Sequence, residues 1–194
     1  SSELSKKEYI SISKNKNLQT NYNKLINNIF ENLNSHLILC KQNNGIWGVS
    51  EINKQIIKQT DSFDFSKLDE GLPIMCTENN TELGLSNGDI GILVGKNNKR
   101  KFLFKKYNRH NEPIIDFIEP SKLNKIIPAL ALTIHKSQGS ESKKVSILWK
   151  ENDDANDIKI SQNYQFISFR DNFERRLFYT AITRAKESLN LYYL

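Results

Sequence analysis

The chain has no phosphate-binding loop: G-x-x-x-x-G-K-[ST] occurs nowhere in its 194 residues. An ATP-driven motor needs that backbone cradle, and a magnesium-binding acid after a strand, to hold and cleave a nucleotide. This chain alone therefore falls short of a complete motor. Cysteine is scarce, with Cys40 and Cys76 the only two. Both sit in apolar, strand-like runs and read as buried thiols, which excludes a disulfide framework or a cysteine-based metal site. The three histidines are scattered and add no metal-ligand spacing. No apolar run approaches the roughly 20 residues of a membrane span, and no signal-peptide pattern is visible. The expectation is a cytoplasmic protein without membrane contact. No carboxylate cluster of a nuclease is evident either.

What is present is a basic chain, with a net charge of +6 and a pI near 9.2. That balance favours an anionic partner. The length suits one domain carrying a small insert, enough to bury a real core. The chain opens at Ser1 without Met and lacks the phosphate loop, so it reads as the C-terminal piece of a longer protein.

Two stretches near the C-terminus organise the rest. Ala129–Ser142 reads ALALTIHKSQGSES. Its apolar start suits a strand buried on both faces of a parallel sheet. It then breaks into a polar turn containing Gly139, where the backbone can adopt positive φ or approach a ligand. Val145–Trp149 reads as another buried strand. Polar turns at the carboxyl ends of strands bind ligands in α/β sheets. In the second stretch, Phe173, Leu177, Phe178, Ala181, Ile182 and Ala185 follow helical spacing. Tyr179, Thr180, Thr183 and Arg184 lie on or beside its polar side, and Ser188–Leu194 alternates like a final strand. The planar fork of Arg184 suits a phosphate.

Upstream, Ser1–Asn17 is polar and Lys-rich. Tyr22, Leu25, Ile26, Ile29, Phe30 and Leu33 predict a core-packing helix, capped near Thr20 or Asn21 and ended by Asn34-Ser35. His36–Cys40 predicts a buried strand. Val49, Ile52 and Ile56 predict a helix running to about Gln59. Between them, Trp47 either plugs the helix against the sheet or stacks on a base. Thr60–Asp69 reads as a connection. Short strands follow at Pro73–Thr77, Asp89–Val94, Lys101–Lys106 and Pro113–Ile118, with turn residues between them. They predict a small β-barrel. The hairpin Lys96–Arg109 interleaves cations, Lys101 and Lys105 among them, with Phe102, Phe104 and Tyr107. That pattern suits single-stranded nucleic acid, or equally a charged edge that discourages pairing. Glu151–Asp157 reads as a solvated acidic loop.

TIHKSQGSE followed by YTAITRAK resembles motifs V and VI of superfamily 1 helicases, and most closely the RecD family, the alpha subunits of exodeoxyribonuclease V. Leu37–Asn53 is similar to that family's motif IV region and Gly71–Gly91 to its inserted small domain. The resemblance implies an α/β fold: a RecA-like, P-loop NTPase-type second motor domain with a parallel sheet. Residues 1–68 and 122–194 would build it, around an SH3-like β-barrel insert at 69–121. It implies ATP with Mg2+ as cofactor, bound mainly by an absent N-terminal RecA-like domain. Arg184 would act catalytically on the γ-phosphate. Gly139 and Glu141 would face the nucleotide. Thr133, His135, Lys136 and Ser137 would face single-stranded DNA, with Trp47, Lys101 and Lys105 as further DNA candidates. Implied partners are single-stranded DNA, that N-terminal domain, and RecB- and RecC-type subunits. The implied reaction is ATP hydrolysis coupled to DNA translocation and unwinding in recombinational repair. The alternatives are another superfamily 1 helicase, Pif-like or relaxase-linked, and a non-catalytic DNA-binding or docking module.

Overall fold

The computed structural model describes residues 16–58, 68–95, 99–150, 169 and 171–193. The expected lead-in before residue 16, most of the connection 60–69, the turn at 96–98 and the acidic loop 151–157 lie outside them. Contacts divide the chain into two units, Ser1–Leu33 with Asn53–Leu130, and Asn34–Ile52 with Ala131–Leu194.

The first unit is built on an antiparallel sheet. Its strands are β2 (Pro73–Cys76), β3 (Ile90–Val94), β4 (Lys101–Tyr107), β5 (Pro113–Ile118) and β6 (Ile126–Pro128), preceded in the chain by β1 (His36–Cys40). The order is β5-β4-β3-β2-β6. Alternate side chains leave a strand on opposite faces, and here both faces are covered. Ile92 and Leu103 pack under helix α1 (Lys16–Leu33), whose Ile26 and Phe30 complete a core cluster. Their neighbours Leu93, Phe102 and Phe104 point the other way, into a second cluster with Leu68, Ile74, Leu85 and Leu123. That is why the run Phe102-Leu103-Phe104 is apolar throughout. Gly91 lies under the Phe104 ring, where a Cβ would come within 2.7 Å of ring carbons.

This unit departs from the expected boundaries in two ways. The strand β6 was too short to be read from sequence, yet it pairs with β2 and makes the sheet five-stranded. The stripe of α1, assigned to the parallel domain within 1–68, is buried on the antiparallel sheet instead. Helical spacing predicts that a face is buried and is silent about the surface that buries it. Leu25, also placed on that stripe, is 49% exposed.

The second unit holds a four-stranded parallel sheet of order β7-β1-β8-β9, comprising β1 (His36–Cys40), β7 (Ala131–Thr133), β8 (Ser142–Trp149) and β9 (Ala185–Tyr193). Helix α2 (Val49–Ile57) follows β1, and Val49 joins Cys40 and Ala131 in a small core. Helix α3 (Asn172–Ile182) precedes β9. Its start is capped by Asp171, whose Oδ1 accepts the Glu174 amide at 2.8 Å. Leu177, Phe178 and Ala181 are its buried apolar face. Phe178 meets Trp149, fully buried at the end of β8, edge-on at 5.0 Å. Of the expected helix-facing set, Leu177, Phe178 and Ala181 are buried, whereas Phe173 is 61% exposed, Ile182 is exposed, and Glu174 is buried in their company. No helix among the described residues is long and apolar enough to cross a membrane.

Candidate functional site

Strands β7 and β8 are parallel and flank β1, with Thr133 level with Cys40 and Lys144 level with His36. The connection from 134 to 141 must therefore travel back along β1, about 17 Å at ~3.3 Å per residue. Sequence reasoning treated this stretch as one turn serving two ligands. Its two ends instead lie at opposite edges of the sheet.

At the carboxyl edge, His135–Ser137 forms a single 3-10 turn. Two hydroxyls expected to face DNA are spent on building it. Thr133 is buried and its Oγ1 accepts the Lys136 amide at 3.3 Å. Ser137 has no exposed surface, and its Oγ donates to the Ile134 carbonyl at 2.7 Å. Ser137 thus braces the turn and is not presented to a ligand. His135 and Lys136 are exposed. The His135 ring stacks on Phe173 with centroids 5.8 Å apart and planes 24° apart. Lys41, just past β1, pairs with Glu174 at 2.6 Å while its ammonium sits 5.0 Å from the Trp149 ring. Trp47 lies part-buried in the loop after β1.

At the amino edge, the start of β8 is tied to the end of α3. The Ser142 amide donates to the Arg184 carbonyl at 2.9 Å. The Arg184 guanidinium donates through Nη1 to the Ser140 carbonyl at 3.3 Å and through Nε to the Thr180 carbonyl at 3.2 Å. Its Nη2 reaches Thr183 Oγ1 at 3.3 Å. Among the described residues no carboxylate pairs with Arg184, although Glu187 was the obvious sequence neighbour. Gly139 has φ +86° and nothing within 4 Å of where a Cβ would stand, so conformation and not space calls for glycine. Glu141 pairs with Lys186 at 2.9 Å, both side chains more than half exposed. The hydrogen bond and charge of Lys186, then the charge of Arg184, hold its carboxyl below the usual range. Glu141 thus lies within electrostatic reach of Arg184, and Gly139 precedes the Ser140 carbonyl that Arg184 holds. Lys186 is the addition, and its signal was a cation two residues beyond the arginine.

Lys101 and Lys105, the two hairpin lysines among the DNA candidates, belong to the antiparallel unit and are engaged there. Lys101 pairs with Glu119 at 3.2 Å, and Lys105 donates to Asn27 Oδ1 at 2.8 Å beside the Tyr107 ring. Among the described residues no group of His, Cys, Asp or Glu could hold a metal ion.

RecD of Buchnera aphidicola from Schizaphis graminum is 30% identical over 182 residues, covering 87% of this chain and 26% of its own length. The chain is a relative of the RecD subunits. A second Buchnera RecD, from Acyrthosiphon pisum, is 33% identical over 62% of the chain, and that of Mycobacterium tuberculosis is 27% identical over 82%. The chain spans about a quarter of the length of these curated relatives. No protein-family model matches it. Bacteroides Pif1 bound to single-stranded DNA aligns with 80% of the chain and 40% of its own, at 18% identity and a TM-score of 0.44. At that score the likeness decides nothing about the fold, and the relationship to RecD rests on sequence.

Proposed function

We propose that the chain is part of the second, RecA-like motor domain of a RecD-type DNA helicase subunit, coupling ATP hydrolysis to translocation on single-stranded DNA. The whole protein would unwind duplex in concert with RecB- and RecC-type subunits. The parallel unit would be the motor lobe, and the antiparallel sheet the SH3-like insert.

Arg184 carries this reading. Among the described residues its guanidinium is held by two main-chain carbonyls and one hydroxyl; no carboxylate ion-pairs with it, and Glu141, whose charge it feels, is paired to Lys186. An incoming phosphate would offer it a charge-assisted, bidentate partner that it lacks. Arg184 would supply charge to a nucleotide held by another lobe, because this chain has no phosphate loop. ATP with its Mg2+ would bring the transferable phosphoryl group and the metal. This chain's share would be Arg184, the open loop at Gly139, and Glu141 once Lys186 releases it. Phosphates at Arg184 and a strand at His135 and Lys136 would act at opposite sheet edges, joined by residues 134–141. That connection is the element through which one site would feel the other.

The test is Arg184→Ala in the full-length protein, read as DNA-stimulated ATP turnover. An arginine supplied to a transferred phosphoryl is worth roughly 10³–10⁵ in rate, so turnover should fall at least about a thousandfold with DNA binding retained. Unchanged turnover would remove Arg184 from the reaction. Residues 1–194 alone should show no DNA-stimulated ATPase, and measurable activity from them would refute the two-lobe reading.

A further inference from the structure

We propose that Phe173 and His135 form a stacking platform for a base of a single-stranded nucleic acid. This inference rests on the proposed strand-binding function and adds a residue to it. Phe173 is a large apolar ring with 61% of its surface in water, at the start of α3. It is not idle surface: its ring lies nearly parallel to the exposed His135 imidazole, 5.8 Å away. Two rings in offset stacking at the carboxyl edge of the sheet present a flat, ready-oriented π surface to which a third ring can add. The platform is also held in place. Glu174, adjacent in sequence, is anchored by Lys41 at 2.6 Å, and Asp171 caps the same helix turn. The Lys41 pairing neutralises Glu174, so that this acid does not repel a polyanion. Exposed Lys136, Arg175 and Arg176 flank the two rings in sequence and supply cations for the phosphates.

Stacking is sequence-tolerant, whereas a backbone grip is indifferent to the presence of bases. The chain should therefore distinguish a labelled oligothymidylate from an abasic strand of equal length and charge, measured by fluorescence anisotropy. A single stacked base predicts a preference of about 5- to 150-fold for the oligothymidylate. Phe173→Ala should erase that preference, and Phe173→Trp should keep it. Phe173→Leu, which preserves apolar bulk, should lose it as Ala does, and covers the case in which Ala impairs folding. The salt dependence of binding should be the same in every variant, because no phosphate contact is removed. Two results overturn the platform while leaving a backbone grip standing: equal wild-type binding to both strands, or a preference that survives both Phe173→Ala and Phe173→Leu. If wild type binds neither strand, the strand-binding reading of this chain fails and the platform with it.

Discussion

Removing the Glu174 carboxylate should destabilise the parallel unit by about 3 kcal/mol. Lys41 and Glu174 approach to 2.6 Å with side chains 12% and 10% exposed. Breaking a buried pair by deleting one partner costs roughly 3–5 kcal/mol, because the other charge stays desolvated. Lys41 keeps two consolations, the Lys150 carbonyl at 3.3 Å and the Trp149 ring at 5.0 Å. These place the cost at the lower end. At about 2–4 °C per kcal/mol for a chain of this size, Glu174→Ala should lower Tm by roughly 6–12 °C. The double variant Lys41→Met with Glu174→Leu removes both charges and should return to within about 1 kcal/mol of wild type. Urea unfolding followed by tryptophan fluorescence measures both, since Trp149 lies against the pair. A Glu174→Ala variant within about 0.5 kcal/mol of wild type would show that the pair is open to water. A double variant as unstable as the single would show that packing, not charge, was lost.

Glycine substitutions should separate steric from conformational demand. At Gly48 a Cβ would stand 2.5 Å from the Asn44 carbonyl carbon and oxygen, backbone atoms that cannot swing aside. Gly48→Ala should therefore cost more than about 2 kcal/mol. Gly139→Ala meets no atom within 4 Å and should cost only the ~1–2 kcal/mol of left-handed backbone; equal losses in urea titration would contradict this. Burial pushes the Cys40 thiol up to about 12, while burial, with the Asp89 charge adding to it, pushes Cys76 to about 11. Both should resist iodoacetamide at pH 8.5 in the folded chain and react once it is unfolded, as mass spectrometry would reveal. Because the folded values lie above the unfolded ones, this stabilisation is complete below about pH 9 and drains away as pH rises toward 11 and 12. Rapid alkylation of native Cys40, or stability that does not decline across that window, would refute the burial.

Local pattern carried a good deal of this protein. Short strands between turn residues placed β2 to β5 within a residue or so of their observed bounds, because alternation and turn chemistry are written in neighbouring positions. The order TIHKSQGSE then YTAITRAK marks Gly139, Glu141 and Arg184 as candidates, and the fold sets the Ser140 carbonyl and the Glu141 charge within reach of the Arg184 guanidinium. The failures share one cause. A helical stripe states that one side is buried and nothing more, so the surface that buries α1 was not legible, and Phe173 and Ile182 counted with an α3 face of which only Leu177, Phe178 and Ala181 are buried. Glu174 was the overlooked clue, since an acid among apolar helix positions must find a cation, here Lys41 just past β1 and over a hundred residues away. Ser137 looked like a ligand contact because a hydroxyl in a polar turn serves either solvent or backbone, and only the folded turn shows that it bonds Ile134. By itself, then, the sequence determined all but the shortest elements, the similarity to RecD, and the identity of the charged residues. The fold alone decided that the two ends of residues 134–141 lie at opposite edges of the sheet, because parallel strands force their connections to retrace the strand length.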